Sequence, residues 1–312
     1  MTKQAKIRIG TRASKLALIQ VDMVKARLMK AFPDLEIEVV EITTSGDWKP
    51  QHGETRLSEV DGGKGLFAKE IEAALLDGQV DIGVHSLKDM PSFLPEGLVI
   101  DHVLEREDPR DAFISAKYNS LSDLPQGAKL GTSSLRRQAM ALALRPDLEI
   151  VPLRGNVGTR LEKIEGGQAD ATFLAVAGLK RLGLEKRITS YMSAEEILPA
   201  AAQGIVGIER RADDEAVKGL LDVLHHAPTG LCAGAERAAL QILDGSCHTP
   251  IGSYAVLDGE EMKLRVLVAS ADGTQVYKDE ISGAITKPAQ AKALGETVGR
   301  RLKDIIPPDL LV

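Results

Sequence analysis

One turn design occurs twice in this chain, and it restricts the fold to alternating strands and helices. Ile7-Arg8-Ile9 runs into Gly10-Thr11-Arg12-Ala13-Ser14 and then a helical stretch; about 120 residues later Lys129-Leu130 runs into Gly131-Thr132-Ser133-Ser134 and another. Two α/β domains of related build are expected, the second inserted into the first or following it. Residues 205–209 read as a strand returning after Pro199. Parallel sheets bind ligands beyond the carboxyl ends of their strands, so both Gly-Thr turns are expected to border one cleft between the domains.

The hydrophobic periodicity fills in this frame. Helices are predicted over 15–32 (stopped by Pro33), 66–76, 135–144, 159–165 and 176–182, and strands over 36–42, 80–84, 99–103, 149–152 and 171–174. The polar, glycine-rich stretch 43–65 reads as a long loop of the kind that is usually functional or mobile. The charged, proline-broken run 105–110 suits a crossover between domains. From about residue 227 the character changes. A helix over 229–243 precedes strands at 254–257, 263–269 and 275–281, with hairpin turns at Asp258-Gly259 and Asp272-Gly273, and a last helix over 288–302. The expected domains are 1–104 with 205–225, then 105–204, then a small α+β domain over 226–312.

Composition narrows the function classes. Of 312 residues only 3% are aromatic and the net charge is −6, which argues against nucleic-acid binding, because stacking platforms and a basic footprint are both missing. Charge is uneven, however: residues 129–187 carry +5 and the remainder −11, a local basic region suited to capturing a small anion. No apolar segment reads as a signal peptide or membrane span, so a cytoplasmic location with reduced thiols is expected. A partner nucleic acid or membrane is not expected, and neither is a metal, since no Cys/His pairs have zinc-site spacing. Gly62-Gly63-Lys64-Gly65 lacks the spacing and Ser/Thr of a phosphate-binding loop.

Candidate chemical residues follow from residue type and place. Cys247, in Asp244-Gly245-Ser246-Cys247-His248, is one of two cysteines and stands in a small-residue turn that keeps a thiol accessible. A Cys-His nucleophile is conceivable with His248, His85 or His226, but adjacent residues point apart on an extended chain, so Cys247 and His248 cannot easily form the ion pair. The Gly-Thr turns put backbone N–H groups at helix starts, a ready anion site, though such turns also simply cap helices. Arg12, Arg136, Arg137, Arg154 and Arg160 fall in or just after strand-to-helix turns, where planar guanidinium groups suit carboxylates; Arg181, on a short helix, is harder to place. Asp89, after the buried strand 80–84, suits stabilisation of a developing cation and proton shuttling, while an Asp before Pro91 also suits a turn cap. His85 is read as a packed core histidine rather than a base.

The residues resemble the porphobilinogen deaminase (hydroxymethylbilane synthase) family. The resemblance rests on Gly10-Thr11-Arg12-Ala13-Ser14, 62–67, Val84-His85-Ser86-Leu87-Lys88-Asp89, 106–112, 131–137, 153–160, 174–183, Gln203-Gly204 and Ser246-Cys247, in order along nearly the whole chain. It implies two α/β domains like those of periplasmic binding proteins around a cleft, plus a small α+β C-terminal domain. It also implies a dipyrromethane cofactor bound by thioether to Cys247, and a monomer. To this primer four porphobilinogens are added, each losing ammonia and passing through an azafulvenium-like cation. By similarity Asp89 contacts pyrrole N–H groups as acid and base. Lys88, Thr132, Ser134, Arg136, Arg137 and Arg160 match cofactor-side positions, and Arg12, Ser14, Arg154 and Arg181 match positions tied to substrate and elongation. The many acetates and propionates of such a chain account for the arginine surplus. Lys15 stands where many members have proline and Ala202 where glycine is common, which puts local backbone geometry there in question. The rival readings are a solute-binding protein, which calls for an export signal and leaves Cys247 without a role, and a cysteine hydrolase.

Overall fold

The structure is a computed structural model describing residues 6–45, 68–243 and 249–310. The chain opens with β1 (Lys6–Arg12), α1 (Lys15–Ala31) and β2 (Glu36–Ile42), with β1 and β2 parallel from Lys6↔Glu36 to Arg12↔Ile42. Ser14 starts α1: its Oγ accepts the Ala17 N–H at 3.3 Å, filling one of the donors a helix start leaves open. Ala17, Gln20, Val21, Val24 and Leu28 recur at helical spacing and form the buried stripe of α1. Then come α2 (Lys69–Leu76), β3 (Ile82–Ser86), parallel to β1, and β4 (Leu98–Val103).

After β4 the chain builds a second sheet. It contributes β5 (Asp111–Ile114), β6 (Lys129–Gly131), α3 (Leu135–Leu144), β7 (Glu149–Val151), α4 (Val157–Glu165), β8 (Ala171–Ala175), α5 (Val176–Arg181) and β9 (Ser190–Tyr191), in sheet order β7-β6-β8-β5-β9. The chain then returns as β10 (Val206–Arg211), antiparallel between β3 and β4, and continues into α6 (Glu215–Leu221). The first sheet thus reads β2-β1-β3-β10-β4. In each sheet order the first three strands are parallel, the fourth runs against them and the fifth runs against the fourth, which is the recurrence that the two Gly-Thr turns foreshadow.

The last segment holds α7 (Ala227–Ile242), the antiparallel meander β11 (Ile251–Asp258), β12 (Glu261–Ala269) and β13 (Val276–Ala284), and α8 (Pro288–Ile305). Helices α7 and α8 pack so closely that a Cβ on Gly295 would lie 2.1 Å from the Ala235 carbonyl oxygen. Cys232 is buried here, among Ala235, Leu264, Val298 and Leu302.

Among the described residues the chain divides into two compact units. One holds everything up to Glu107 together with Ile205–Gly230; the other holds Asp108–Gly204 and Leu231 onward, so the small C-terminal sheet groups with the second five-stranded one. Met140 and Leu198 share one core with Leu267 and Ala269 of β12. Glu236 of α7, fully buried, ties this unit together: its carboxylate accepts the Ala202 N–H at 2.6 Å and the Ala255 N–H at 2.8 Å. Ala202 itself sits at φ +59°, the left-handed region that favours glycine, so the departure noted in the sequence is a real backbone cost. The mixed α/β architecture with a small α+β C-terminal segment is as the sequence predicts.

Candidate active site

The first unit carries a concavity where β1 and β3 end, lined by the polar Arg12, Ser14, Gln20, His85, Ser86 and Asp89 together with the apolar Leu16, Ala17, Val84 and Met90. Local structure explains each placement. Beyond β3 the chain makes a single 3-10 turn, Leu87–Asp89. The Leu87 N–H donates to the Ile205 carbonyl at 3.0 Å, and the Leu87 side chain is buried, which fixes the turn and leaves Lys88 and Asp89 half-buried. The Asp89 carboxylate accepts no hydrogen bond and makes no ion pair with any described residue. Asp89 is therefore not a turn cap. Gln20, buried in the apolar stripe of α1, donates from Nε2 to Ser86 Oγ at 2.8 Å and aims that hydroxyl. Thr11, fully buried, has a hydroxyl with no hydrogen-bond partner among the described residues.

In the second unit the Gly131-Thr132 turn is built the same way. Thr132 Oγ1 accepts the Ser134 N–H at 3.1 Å, and Ser134 Oγ accepts the Arg137 N–H at 3.5 Å at the start of α3. Both turn glycines are demanded by packing: a Cβ on Gly10 would lie 3.1 Å from Val80 Cγ2, and one on Gly131 would lie 3.0 Å from Leu153 Cδ2. Close approach of neighbouring core side chains, rather than of a ligand, accounts for them.

Arg136 and Arg137 are buried and converge on Asp111, which is fully buried at the start of β5. Arg136 Nη2 reaches Asp111 Oδ2 at 2.7 Å and its Nη1 donates to the Leu198 carbonyl at 2.7 Å; Arg137 Nη2 reaches Asp111 Oδ1 at 2.7 Å. Gln203 Nε2 adds a bond to Asp111 Oδ1 at 3.2 Å. Burial pulls the Arg136 guanidinium down from its ordinary range, and Asp111 opposes it. Two guanidiniums on one carboxylate leave one net positive charge, so the cluster stays attractive to an anion while the arginines are held rigid.

The other predicted residues are dispersed. Arg154 is buried in the loop before α4, with its carbonyl held by Lys163 Nζ at 3.0 Å. Arg160 lies one turn into α4, and Arg181 ends α5, where its Nη2 donates to the Gly204 carbonyl at 2.7 Å. Cys247 and the stretch 62–67 lie outside the described residues. Gln20, Ser86 and Asp111 are additions that the sequence reading missed. Gln20 alone left a trace, as a polar side chain inside the apolar stripe of α1.

A dipyrromethane brings pyrrole N–H groups and carboxylates, so it needs an acceptor free of protein partners and fixed cationic donors. Among the described residues the first unit offers Asp89 as such an acceptor, and the second unit, taken by itself, offers the Asp111-anchored arginines as such donors; these residue types suit the group. Among the described residues no cluster of three or more His, Cys, Asp or Glu side chains could hold a metal ion, and no helix is long and apolar enough to cross a membrane.

Fold and site together define an α/β enzyme acting on a small anionic substrate. The family model "Porphobilinogen deaminase, dipyrromethane cofactor binding domain" matches residues 7–219, and "Porphobilinogen deaminase, C-terminal domain" matches 230–304. The chain belongs to the porphobilinogen deaminase family. It synthesises hydroxymethylbilane from porphobilinogen in tetrapyrrole biosynthesis, with dipyrromethane as its cofactor. Solved structures with some similarity include a periplasmic substrate-binding protein of an ABC transporter from Coxiella burnetii, at 18% identity and TM-score 0.44 over 74% of this chain and 96% of that one. A Salmonella typhimurium periplasmic binding protein of high arginine specificity matches at 15% and 0.40, over 70% and 91%. The B. pertussis BvgS periplasmic domain matches at 13% and 0.39 over 72% of this chain, which spans 40% of that one.

Proposed function

We propose that the cofactor is held by a thioether to Cys247, that Asp89 is the catalytic carboxylate, and that the enzyme acts as a cytoplasmic monomer. The observation that supports this reading best is the Asp89 carboxylate, half-buried in the concavity at the ends of β1 and β3 and engaged by no described residue. When bound, the dipyrromethane supplies the primer to which porphobilinogen units are joined. Asp89 accepts N–H bonds from pyrrole rings, balances the cation that develops on porphobilinogen as its C–N bond breaks, and takes up the proton released by the condensation. In a site shielded from bulk water a fixed negative charge is worth far more than in solution. Ser86, aimed by Gln20, and Arg12 orient the substrate side chains, with Ser14 at the same rim. Lys88, Thr132, Ser134, Arg136, Arg137 and Arg160 hold the cofactor carboxylates, and Arg154 and Arg181 serve the incoming substrate and the growing chain.

Two substitutions test this. Cys247→Ala protein should fold and lack the two-pyrrole mass adduct under denaturing conditions; an active variant without the adduct overturns the tether. Asp89→Asn in cofactor-loaded protein should keep the shape and lose about a thousandfold in single-turnover rate. Elongation at the wild-type rate would reduce Asp89 to a bystander.

A further inference from the structure

Between β9 and β10 the second unit contains an irregular segment, Leu198 to Gly204, that is neither helix nor strand and is buried at every position except Ala200. Buried irregular backbone is uncommon, because each N–H and C=O must find a partner without a ladder to supply it. Here two of the partners are site residues. At one end the Leu198 carbonyl accepts Arg136 Nη1 at 2.7 Å, and at the other the Gly204 carbonyl accepts Arg181 Nη2 at 2.7 Å. In between, Gln203 Nε2 donates to the Pro109 carbonyl at 2.7 Å and to Asp111 Oδ1 at 3.2 Å. One short segment thus holds a guanidinium assigned to the cofactor, a guanidinium assigned to the substrate, and the carboxylate that anchors the first.

The segment is itself held by the C-terminal part of the same unit. The Pro199 carbonyl accepts the Ser253 N–H of β11 at 2.9 Å. Gly252 lets the two backbones meet, since a Cβ there would lie 3.0 Å from the Leu198 carbonyl oxygen. At the middle, Glu236 Oε2 accepts the Ala202 N–H at 2.6 Å, while Oε1 accepts the Ala255 N–H of β11 at 2.8 Å. Ala202 is the residue at φ +59°. A non-glycine residue persists in the left-handed region only where its surroundings fix it, and such residues gather at functional sites. Glu236 is the group that fixes this one.

We propose that Leu198–Gly204 is a bracket that sets Arg136 and Arg181 in place, with Glu236 as its positioning residue. The inference rests on the assignment of those two arginines above. A guanidinium recognises a carboxylate through two parallel N–H bonds, so its plane has to be fixed as well as its position. Each bracket carbonyl takes one Nη group and fixes that plane. A shift of the segment by about 1 Å displaces both forks together, an error that is costly even far from the reacting atoms.

The test uses cofactor-loaded protein. Glu236→Gln keeps the side-chain shape but turns one acceptor into a donor, so one of the two N–H groups loses its partner. It should raise the KM for porphobilinogen about tenfold and change kcat by less than about twofold. Adding Ala202→Gly should bring KM back toward the wild-type value, because glycine adopts the left-handed turn without being held. Gly252→Ala, which presses on the Leu198 carbonyl, should lower the fraction of newly made folded protein that carries the two-pyrrole mass adduct. In the wild-type holoenzyme, which needs no variant to fold, the Ala202 amide should exchange with deuterium as slowly as the amides of β12. A purely structural Glu236 would instead lower kcat at unchanged KM, by reducing the active fraction, and that result overturns the bracket. Rapid exchange at Ala202, or full adduct in Gly252→Ala, overturns it too. Arg181→Leu separates the bracket from the reading beneath it. A KM raised in Arg181→Leu but not in Glu236→Gln condemns the bracket alone, and a wild-type KM in Arg181→Leu removes the assignment of Arg181.

Discussion

Asp111→Asn is the most demanding test of the arginine cluster. The wild-type carboxylate is fully buried, and each oxygen sits 2.7 Å from a guanidinium nitrogen. Two charges about 4 Å apart at an effective dielectric of about 20 interact by about 4 kcal/mol. Asn keeps the shape and one acceptor oxygen, so the geometry survives in part while both buried cations lose their counterion. Removing one partner of such a group costs about 3–5 kcal/mol. A domain's whole stability is about 5–15 kcal/mol. The loss should appear as a large fall in the urea midpoint of the second unit, followed by near-UV circular dichroism or by tryptophan-independent probes on that unit. Sulfate should protect Asp111→Asn more than wild type, because an anion can replace the missing charge. A cost below about 1 kcal/mol, with no extra protection by sulfate, would mean that the guanidiniums are hydrated rather than buried, and the reasoning would fail.

Three smaller perturbations probe the frame. Ala202→Gly should raise stability by about 0.5–1 kcal/mol in denaturant titration, since it relieves a left-handed alanine; no gain would mean the φ of +59° carries no strain. Gly295→Ala should cost about 1–3 kcal/mol by forcing α7 and α8 apart, and an unchanged melting temperature would contradict the 2.1 Å approach. Burial alone would lower the pKa of His102, but its hydrogen bonds to Asp101 and Asp222 outweigh burial and raise it. Its stabilisation is therefore complete below about pH 6.5 and lost as pH rises through the higher folded value. Melts of wild type and His102→Gln should converge on the alkaline side, and a gap that widens with pH would refute the sign.

Much of the architecture was legible because helix signals are local. The helix over 135–144 and the hairpin turns at Gly259 and Gly273, at φ +59° and +71°, stand where periodicity and turn chemistry put them. β5 went unread: Asp-Ala-Phe-Ile is buried at all four positions, so it shows no alternation. The seven-residue α6 offers too few turns for a periodic signal. The place of β10 between β3 and β4 depends on pairing across more than a hundred residues, which no local pattern encodes. At the site, Asp89 stood out because it follows a buried strand directly. His85 is buried, as its place on a core strand suggests. Its partner Glu209 was not legible, because it stands on β10, 124 residues away. Asp111 was hidden for the same reason: a carboxylate's meaning here is set by what the fold brings against it.

The return of β10 also governs how the chain can be born. A ribosome delivers β1 to β4 first, and that sheet then waits for a strand that lies between β3 and β4 and is encoded only at Val206–Arg211. All strands of the second sheet, β5 to β9, are out by Tyr191. The later-starting sheet therefore closes first, while the earlier one holds two open edges of the kind that invite wrong pairings. Vectorial synthesis turns an insertion in the fold into an order of events, with a window of vulnerability that ends only when residue 211 clears the exit tunnel.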